Sequence, residues 1–549
     1  MTHSDTRLQV MWNRLLAVVE EQGQALIRAA FSPIVRECGD ISAGVFDAKG
    51  RMLAQAVTGT PGHINTMAEA VKTLCAAFPV EEIQPGDIYL TNDPWIASGH
   101  LNDFLLLMPI FFNGKVVGYT SCTSHLVDLG GLGMGPEGAD IYDEGLLIPP
   151  CKLVDAGQIN AMLMDIVKAN SREPIANEGD IYALIACCET GATRVAGMMA
   201  EFGLNDLITL SEYIIGTSRR GTLDAIALLP NGSWHNTLMV DGYENALELH
   251  ATLTIADDHV LVDFDGTSGL SKKGINVPLN YATAYTVFAL RCIIGPDIPN
   301  NAGSLAPFVV TAPPDCILNA QRPAPVAMRH TLGQMTPDLV YGCLAQAIEN
   351  AVPAEGASCM YDLPLRHAPG AAGRGETEFA LELVFSGGTG ARAGLDGLSA
   401  TAFPSGVWGS QVETTEAVAP VLITRRELRC DSGGAGRMRG GLGQHIELQS
   451  SIEEDVMVFL SVERISNPAE GRSGGGAGAA GRVRIKGGED DLPGKGEVTI
   501  KKGSTLVFET PGGGGFGSPM ERDRKQVLRD LEDGLISQDA ARALYGLVR

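Results

Sequence analysis

Two apolar, β-prone runs, FLLLMPIFF (residues 104–112) and KVVGYTSCTSH (residues 115–125), are separated only by Asn113-Gly114. Asn-Gly tolerates the positive φ values that a two-residue type I′ turn requires, so the segment reads as a tight β-hairpin. Phe112 then faces Lys115 and, counted back along both strands, His125 falls opposite Asn102. That register carries His125 to the open end of the hairpin, beside His100 and Asp103. Two imidazoles and a carboxylate with one position left open suit zinc or manganese acting on a bound water. His125 has an acid, Asp128, at the same offset of three that separates His100 from Asp103, and the chain holds only 10 histidines. Read from pattern alone, the two histidines fit polar strand ends as readily as metal ligands.

Around the hairpin the periodicity changes several times. Leu8, Trp12, Leu15, Val19, Gln22 and Leu26 recur every three or four residues and predict an amphipathic helix over residues 7–30. ISAGVFDAKGRMLAQ (residues 41–55) predicts two short strands joined through Asp47 to Gly50. Helices are expected over 65–78, 159–168 and 179–215, and strands return over 234–264. In the last third glycine crowds into DSGGAGRMRGGLG, GRSGGGAGAAG and TPGGGGFG, contributing to 67 of 549 residues, against a usual share of about 7%. These glycines are expected to form tight turns between strands such as HIELQS, VMVFLSVE, RVRIKG and STLVFE. The chain closes with two short helices, broken at Gly534 and restarted with Ser537 as N-cap. The expected fold is mixed α/β (α+β) and multi-lobed. Its parts are an N-terminal metal-site region (1–230), a central α/β region (231–370), a glycine-rich β region (371–518) and a helical tail (519–549).

Several functions are disfavoured. Lys+Arg number 41 against 65 Asp+Glu, a net charge of −24, and no basic run tracks a phosphate backbone, so nucleic acid is not the expected partner. No apolar run reaches the 18 or so residues of a membrane span, and Arg7, Arg14, Glu20 and Glu21 interrupt the N-terminal stretch where a signal peptide would be apolar. The 11 cysteines run from Cys38 to Cys430 without a CxxC pair, which fits a reducing cytoplasm. Gly476, Gly478 and Gly481 satisfy GxGxxG, but a strand follows instead of the helix that would hold a pyrophosphate. Lys495 is followed by Gly496 where a phosphate loop needs Ser or Thr. Gly471, Ser473 and Gly475 spell GxSxG, yet no histidine lies beyond His445 to complete a Ser…Asp…His order.

VRECGDISAGVFDAKGRMLAQ, PGDIYLTNDPWIASGHLNDF, SHLVDLGG, YDEGLLIPP, NVPLNYATAYTVFALR, LRCDSGGAGRMRGGLG and TPGGGGFGSPMERD resemble, in this order, signatures of the hydantoinase B/oxoprolinase family. The resemblance covers residues 8–523. It implies that His100, Asp103 and His125 bind a metal, with Asp40 of the CGD motif as a further ligand. Asp128 and Asp93 are expected to orient the histidines through their second ring nitrogens. Asp40 and Asp128 are also candidates for catalytic work, and His63 in TPGHINTM is a candidate proton shuttle or a buried structural histidine. Cys38, between Arg36 and Asp40, reads as a nucleophile or as a packed thiol. The resemblance also implies a hydantoinase A-like partner that uses ATP and magnesium to activate a cyclic amide, in an assembly of two A–B pairs. Two other readings stay open: a subunit of an ATP-dependent ketone carboxylase, and a structural subunit with a structural metal. LGMGPEGADIYDEG (132–145) and MRHTLGQM (328–335) depart from the family pattern where substrate contacts are expected.

Overall fold

The structure, a computed structural model, describes residues 3–57, 59–367, 379–451 and 455–547. Its first sheet contains β1 (Ile41–Asp47), β2 (Met52–Gln55), β3 (Ile88–Thr91), β4 (Asp103–Phe112), β5 (Lys115–His125), β6 (Cys151–Asp155) and β7 (Gln158–Ile159). The order is β2-β1-β5-β4-β3-β6-β7, and every pairing is antiparallel. Helices cover both faces. Phe104, Leu106 and Ile110 enter one core with the His3–Ala29 and Pro174–Phe202 helices, while Leu105 and Leu107 enter another with the Pro61–Ala77 helix. Burial on both faces explains why β4 is continuously apolar, without the alternation of a sheet wet on one side.

The Pro61–Ala77 helix starts earlier than its apolar periodicity suggests, with Thr60 as N-cap and Pro61 at its first position. His63 therefore lies in its first turn. The helix expected over 179–215 is two helices, Pro174–Phe202 and Ile208–Ile226, separated by Gly203 in the left-handed conformation that commonly ends helices.

A second sheet comprises β8 (Gly232–Val240), β9 (Leu247–Ala256), β10 (His259–Asp263) and β11 (Phe308–Thr311), ordered β11-β10-β9-β8. The Thr336–Ala347 helix packs on β8 and β9, and the Leu279–Ile293 helix bridges it to the Pro61–Ala77 helix. A Cβ added at Gly62 would lie 2.7 Å from the Tyr281 ring, so this helix junction closes only on glycine.

The remaining strands are β12 (Tyr361–His367), β13 (Ala380–Phe385), β14 (Val421–Leu428), β15 (Gln444–Ser450), β16 (Val456–Ser461), β17 (Arg482–Ile485), β18 (Lys495–Ile500) and β19 (Thr505–Glu509). They form two four-stranded sheets, β13-β12-β16-β18 and β14-β15-β19-β17, which share one apolar core. The glycine-rich segments beside them are more than turns. No glycine from Gly433 to Gly443 or from Gly512 to Gly515 has a left-handed φ. Instead these segments lie backbone against backbone: Gly434 N donates to Gly513 O (2.8 Å), Gly513 N to Gly441 O (3.0 Å) and Gly515 N to Gly476 O (2.9 Å). A Cβ at Gly388 would stand 1.9 Å from the Gly441 oxygen, and one at Gly440 1.9 Å from the Gly513 oxygen. Glycine is required there for closeness. At the C-terminus, the Arg524–Glu532 and Gln538–Ala543 helices flank Gly534, and the Ser537 side chain caps the second, as expected.

Candidate metal centre

Asn113 and Gly114 both have positive φ, and Phe112 faces Lys115 as the two-residue turn dictates. The register then slips: Phe111 faces Val116 but Ile110 faces Gly118, leaving Val117 as the extra residue of a β-bulge. His125 consequently faces Asp103, not Asn102 as simple counting gives. Because a one-residue slip exchanges the two faces of a strand, the bulge brings the His125 imidazole and the Asp103 carboxylate to the same side.

Asp103 lies at the centre of the cluster. Its Oδ1 is 2.9 Å from His100 Nε2 and 3.4 Å from His125 Nδ1, and its Oδ2 is 3.0 Å from His63 Nε2 and 2.7 Å from Arg329 Nη2. Asp40 closes another side, with Oδ1 3.6 Å from His63 Nδ1 and Oδ2 4.0 Å from His125 Nδ1, while the Thr60 hydroxyl donates to Oδ1 at 2.9 Å. Asp103, His63, His100 and His125 are all buried.

The donor atoms fit a metal ion. His100, Asp103 and His125 each offer a ligand atom, all within 4.8 Å of one another. His100 Nδ1 lies 3.1 Å from the Ala327 carbonyl, which can only accept; with the ring proton on Nδ1, Nε2 keeps the lone pair that a metal needs. His100 Nε2 and Asp103 Oδ1 are both buried without a properly aligned hydrogen-bond partner. Donors about 2.0–2.2 Å from a common ion stand roughly 3.3–3.6 Å apart in a tetrahedral site; the His125–Asp103 separation of 3.4 Å matches this and the His100–Asp103 separation of 2.9 Å is shorter.

Charge divides the imidazoles. Burial and the nearby Arg329 push His100 down to about 4, keeping it neutral as a ligand must be. Burial opposes protonation of His125 too, but Glu382 and Asp103 outweigh it and raise its pKa, so an ion bound at Nδ1 would have to displace a proton from that ring. Burial alone would raise Asp103, yet His100, His63 and Arg329 hold it well below the usual carboxylate range.

Other expectations fare differently. The Asp128 carboxylate accepts from the Arg172 guanidinium and backbone N–H, and Asp93 is held by Arg322 at 2.6 Å. Each carboxylate is thus committed to an arginine and not to a histidine. Cys38 is buried and its thiol is pushed up to about 12, chiefly by desolvation, which fits packing and not nucleophilic attack.

The centre also contains residues that sequence reasoning missed. Arg329, from the MRHTLGQM segment, donates to Asp103 and to Ser98 O (2.9 Å) and lies over the Tyr281 ring. Glu382 Oε2 is 2.8 Å from His125 Nε2. Pro364 faces Glu382 across β12–β13, so Asp362 and Glu382 share a sheet face, and Asp362 reaches to 3.6 Å from His330 Nε2. A lone acid inside each of the apolar strands YDLPLRH and ALELVF was the available signal.

The sequence pattern of the family described as hydantoinase B/oxoprolinase matches residues 4–519. The chain belongs to that family. It is 32% identical to an uncharacterized protein of Methanocaldococcus jannaschii over 533 residues, covering 95% of this chain and 92% of that protein. It is 28% identical to the caprolactamase subunit beta of Pseudomonas jessenii, covering 98% and 95%. The crystal structure of the ATP-dependent caprolactamase from that organism superposes with a TM-score of 0.91 at 27% identity, over 99% of this chain and 96% of that one. A nucleotide-free acetone carboxylase superposes at 0.87 with 20% identity, over 98% and 79%, and shares the fold. Within this hydantoinase B/oxoprolinase fold, among the described residues, no helix is long and apolar enough to cross a membrane.

Proposed function

We propose that this chain is the metal-binding subunit of an ATP-dependent cyclic-amide hydrolase, acting on a substrate that an A-like partner has phosphorylated. The observation that carries the reading is the convergence of His100 Nε2, Asp103 Oδ1 and His125 Nδ1, with His100 Nδ1 turned to the Ala327 carbonyl. The likeness to a caprolactamase beta subunit over nearly the whole chain supports the cyclic-amide substrate class.

His100, Asp103 and His125 would hold the ion, with Asp40 as a further ligand; zinc suits the donor set, and manganese is the alternative. When bound, the ion supplies a water of lowered pKa and a Lewis acid for developing negative charge. Arg329 and His63 hold Asp103 Oδ2, so that Oδ1 is the oxygen left to face the ion. His63, held at Nε2 by Asp103, can exchange a proton at Nδ1 on the side of Asp40. Burial of the cluster keeps bulk water from competing at the reacting carbon. An unstrained amide opens poorly in water, so ATP and magnesium enter through the partner. Addition of one water and rupture of the ring C–N bond leave an acyl phosphate and a free amine, and a second water hydrolyses the acyl phosphate to phosphate and a ring-opened amino acid. Two A–B pairs in the cytoplasm are the assembly that goes with this reading.

A second reading, carboxylation of a ketone, draws on the fold shared with acetone carboxylase. The chain reconstituted with an A-like subunit and ATP separates the two. Ring-opened product without incorporation of labelled bicarbonate supports the hydrolase, and label in the product supports the carboxylase. His100→Ala and Asp103→Ala, each still folded, are expected to lose metal and reduce turnover to background. Full turnover in a folded, metal-free variant would reduce the metal to a structural role.

A further inference from the structure

The YDEG segment contributes a side chain for which the metal-centre reading has no use. Glu144 ends the short Ile141–Glu144 helix and is buried. Its Oε1 accepts from two successive backbone N–H groups, Val326 (2.6 Å) and Ala327 (2.9 Å). The next N–H, that of Met328, donates to Gly274 O at 2.7 Å, and Asn276 Nδ2 donates to Pro325 O at 2.9 Å. Four consecutive residues, 325–328, are therefore pinned in an irregular segment. The carbonyl of Ala327, in the middle of that segment, receives His100 Nδ1.

The socket around Glu144 is shaped for it. A Cβ added at Gly138 would lie 3.2 Å from its Cγ, and one at Gly274 would lie 3.2 Å from Oε1. Both are closer than most real Cβ contacts, so glycine at these two positions leaves room for the carboxyl. The Ile141 N–H also donates to Pro323 O at 3.0 Å, tying the short helix to the same strip of chain.

We infer that Glu144 is a positioning residue: by fixing the 325–328 segment it aims the Ala327 carbonyl at His100 Nδ1 and so selects the tautomer that presents Nε2 to the metal centre. The physical basis is the general one for imidazole ligands, in which the hydrogen bond made by one ring nitrogen decides which lone pair is free at the other. Two backbone N–H groups buried without an acceptor would be costly, so the segment moves when the carboxyl is removed. The inference rests on the metal-centre reading for its purpose, but the tautomer itself can be observed with no metal present.

The test compares Glu144→Ala, Glu144→Asp and Glu144→Gln in the full chain. Glutamine keeps an oxygen at the same reach, alanine removes it and aspartate withdraws it by one methylene. Histidine-selective ¹⁵N NMR on the metal-free chain, with the His100 signals identified by their absence in His100→Asn, reads the tautomer directly. The wild type and Glu144→Gln are expected to carry the Nδ1–H form. Glu144→Ala is expected to show the Nε2–H form or a mixture, with zinc affinity, measured by chelator competition, about 10- to 100-fold weaker. If Glu144→Ala fails to fold, Glu144→Asp decides with the same two measurements. A folded Ala or Asp variant that keeps the wild-type tautomer and zinc affinity would overturn the inference. A shifted tautomer in a protein whose wild type binds neither zinc nor manganese would uphold the positioning role while removing the metal reading.

Discussion

At the residue scale the centre is a set of unequal demands on buried charge. His100 must stay neutral, Asp103 must stay ionised, and both are met by what surrounds them: Arg329 opposes the imidazolium and supports the carboxylate at once. Glu144 shows the opposite case. Burial, only partly offset by the backbone N–H groups of Ala327 and Val326, pushes its pKa from 4.5 to about 8. Below about 4.5 folded and unfolded chains both carry the proton; between about 4.5 and 8 only the folded chain keeps it. Stability therefore falls as pH rises through that window, by at most about 1.4 kcal/mol per pKa unit. Glu144→Gln removes this term. Urea unfolding at a series of pH values is expected to show the variant gaining on the wild type from pH 5 to 8, and a constant difference would refute the assignment. Asp103, His100 and His125 were legible in the sequence because the turn that unites them lies within the same 26 residues. Arg329, Asp362 and Glu382 were not, because they arrive from more than 200 positions away and no local pattern records the meeting.

At the scale of elements, counting along a hairpin found the right neighbourhood and the wrong partner. The Asn-Gly turn fixes Phe112 opposite Lys115, but nothing in KVVGYTSCTSH announces that Val117 is supernumerary. Gly118, just after it, offers a physical correlate: a Cβ there would stand 2.4 Å from the Phe46 carbonyl on β1, so the neighbouring strand constrains β5 where the slip occurs. The Pro61–Ala77 helix also depends on a tertiary partner. Gly62 sits against Tyr281 and Tyr285 one residue before His63. Gly62→Ala is expected to destabilise the fold by about 1–3 kcal/mol through overpacking, and to weaken metal binding by displacing the first helical turn. Denaturant melts together with zinc titration check both effects, and an unchanged melting midpoint would mean that the tyrosines yield freely.

On the scale of the whole molecule, the centre is assembled from regions distant in sequence. The hairpin supplies Asp103 and His125, the Ala327 carbonyl meets His100 while Arg329 holds Asp103, and β12–β13 brings Asp362 and Glu382. The mixed α/β class could be read from shifting periodicity, and the C-terminal caps from Gly534 and Ser537. The packing of the glycine segments could not, since glycine signals a turn and a close backbone approach with the same letter. Gly440→Ala, which would place a methyl 1.9 Å from the Gly513 oxygen, is expected to cost more than about 4 kcal/mol. Its yield of soluble chain beside that of the loosely placed Gly487→Ala tests this, although Gly487 has its own backbone cost from a φ of +82.

Where those glycine segments lie against one another, the contacts are made largely by amide groups. Apolar surface raises the heat capacity on exposure to water, whereas polar surface lowers it. Melting this block should therefore absorb less additional heat per degree than the usual 12–15 cal/mol/K for each residue, roughly, seen in globular domains. Its own stability would then vary more gently with temperature than that of the apolar sheets to which it is attached.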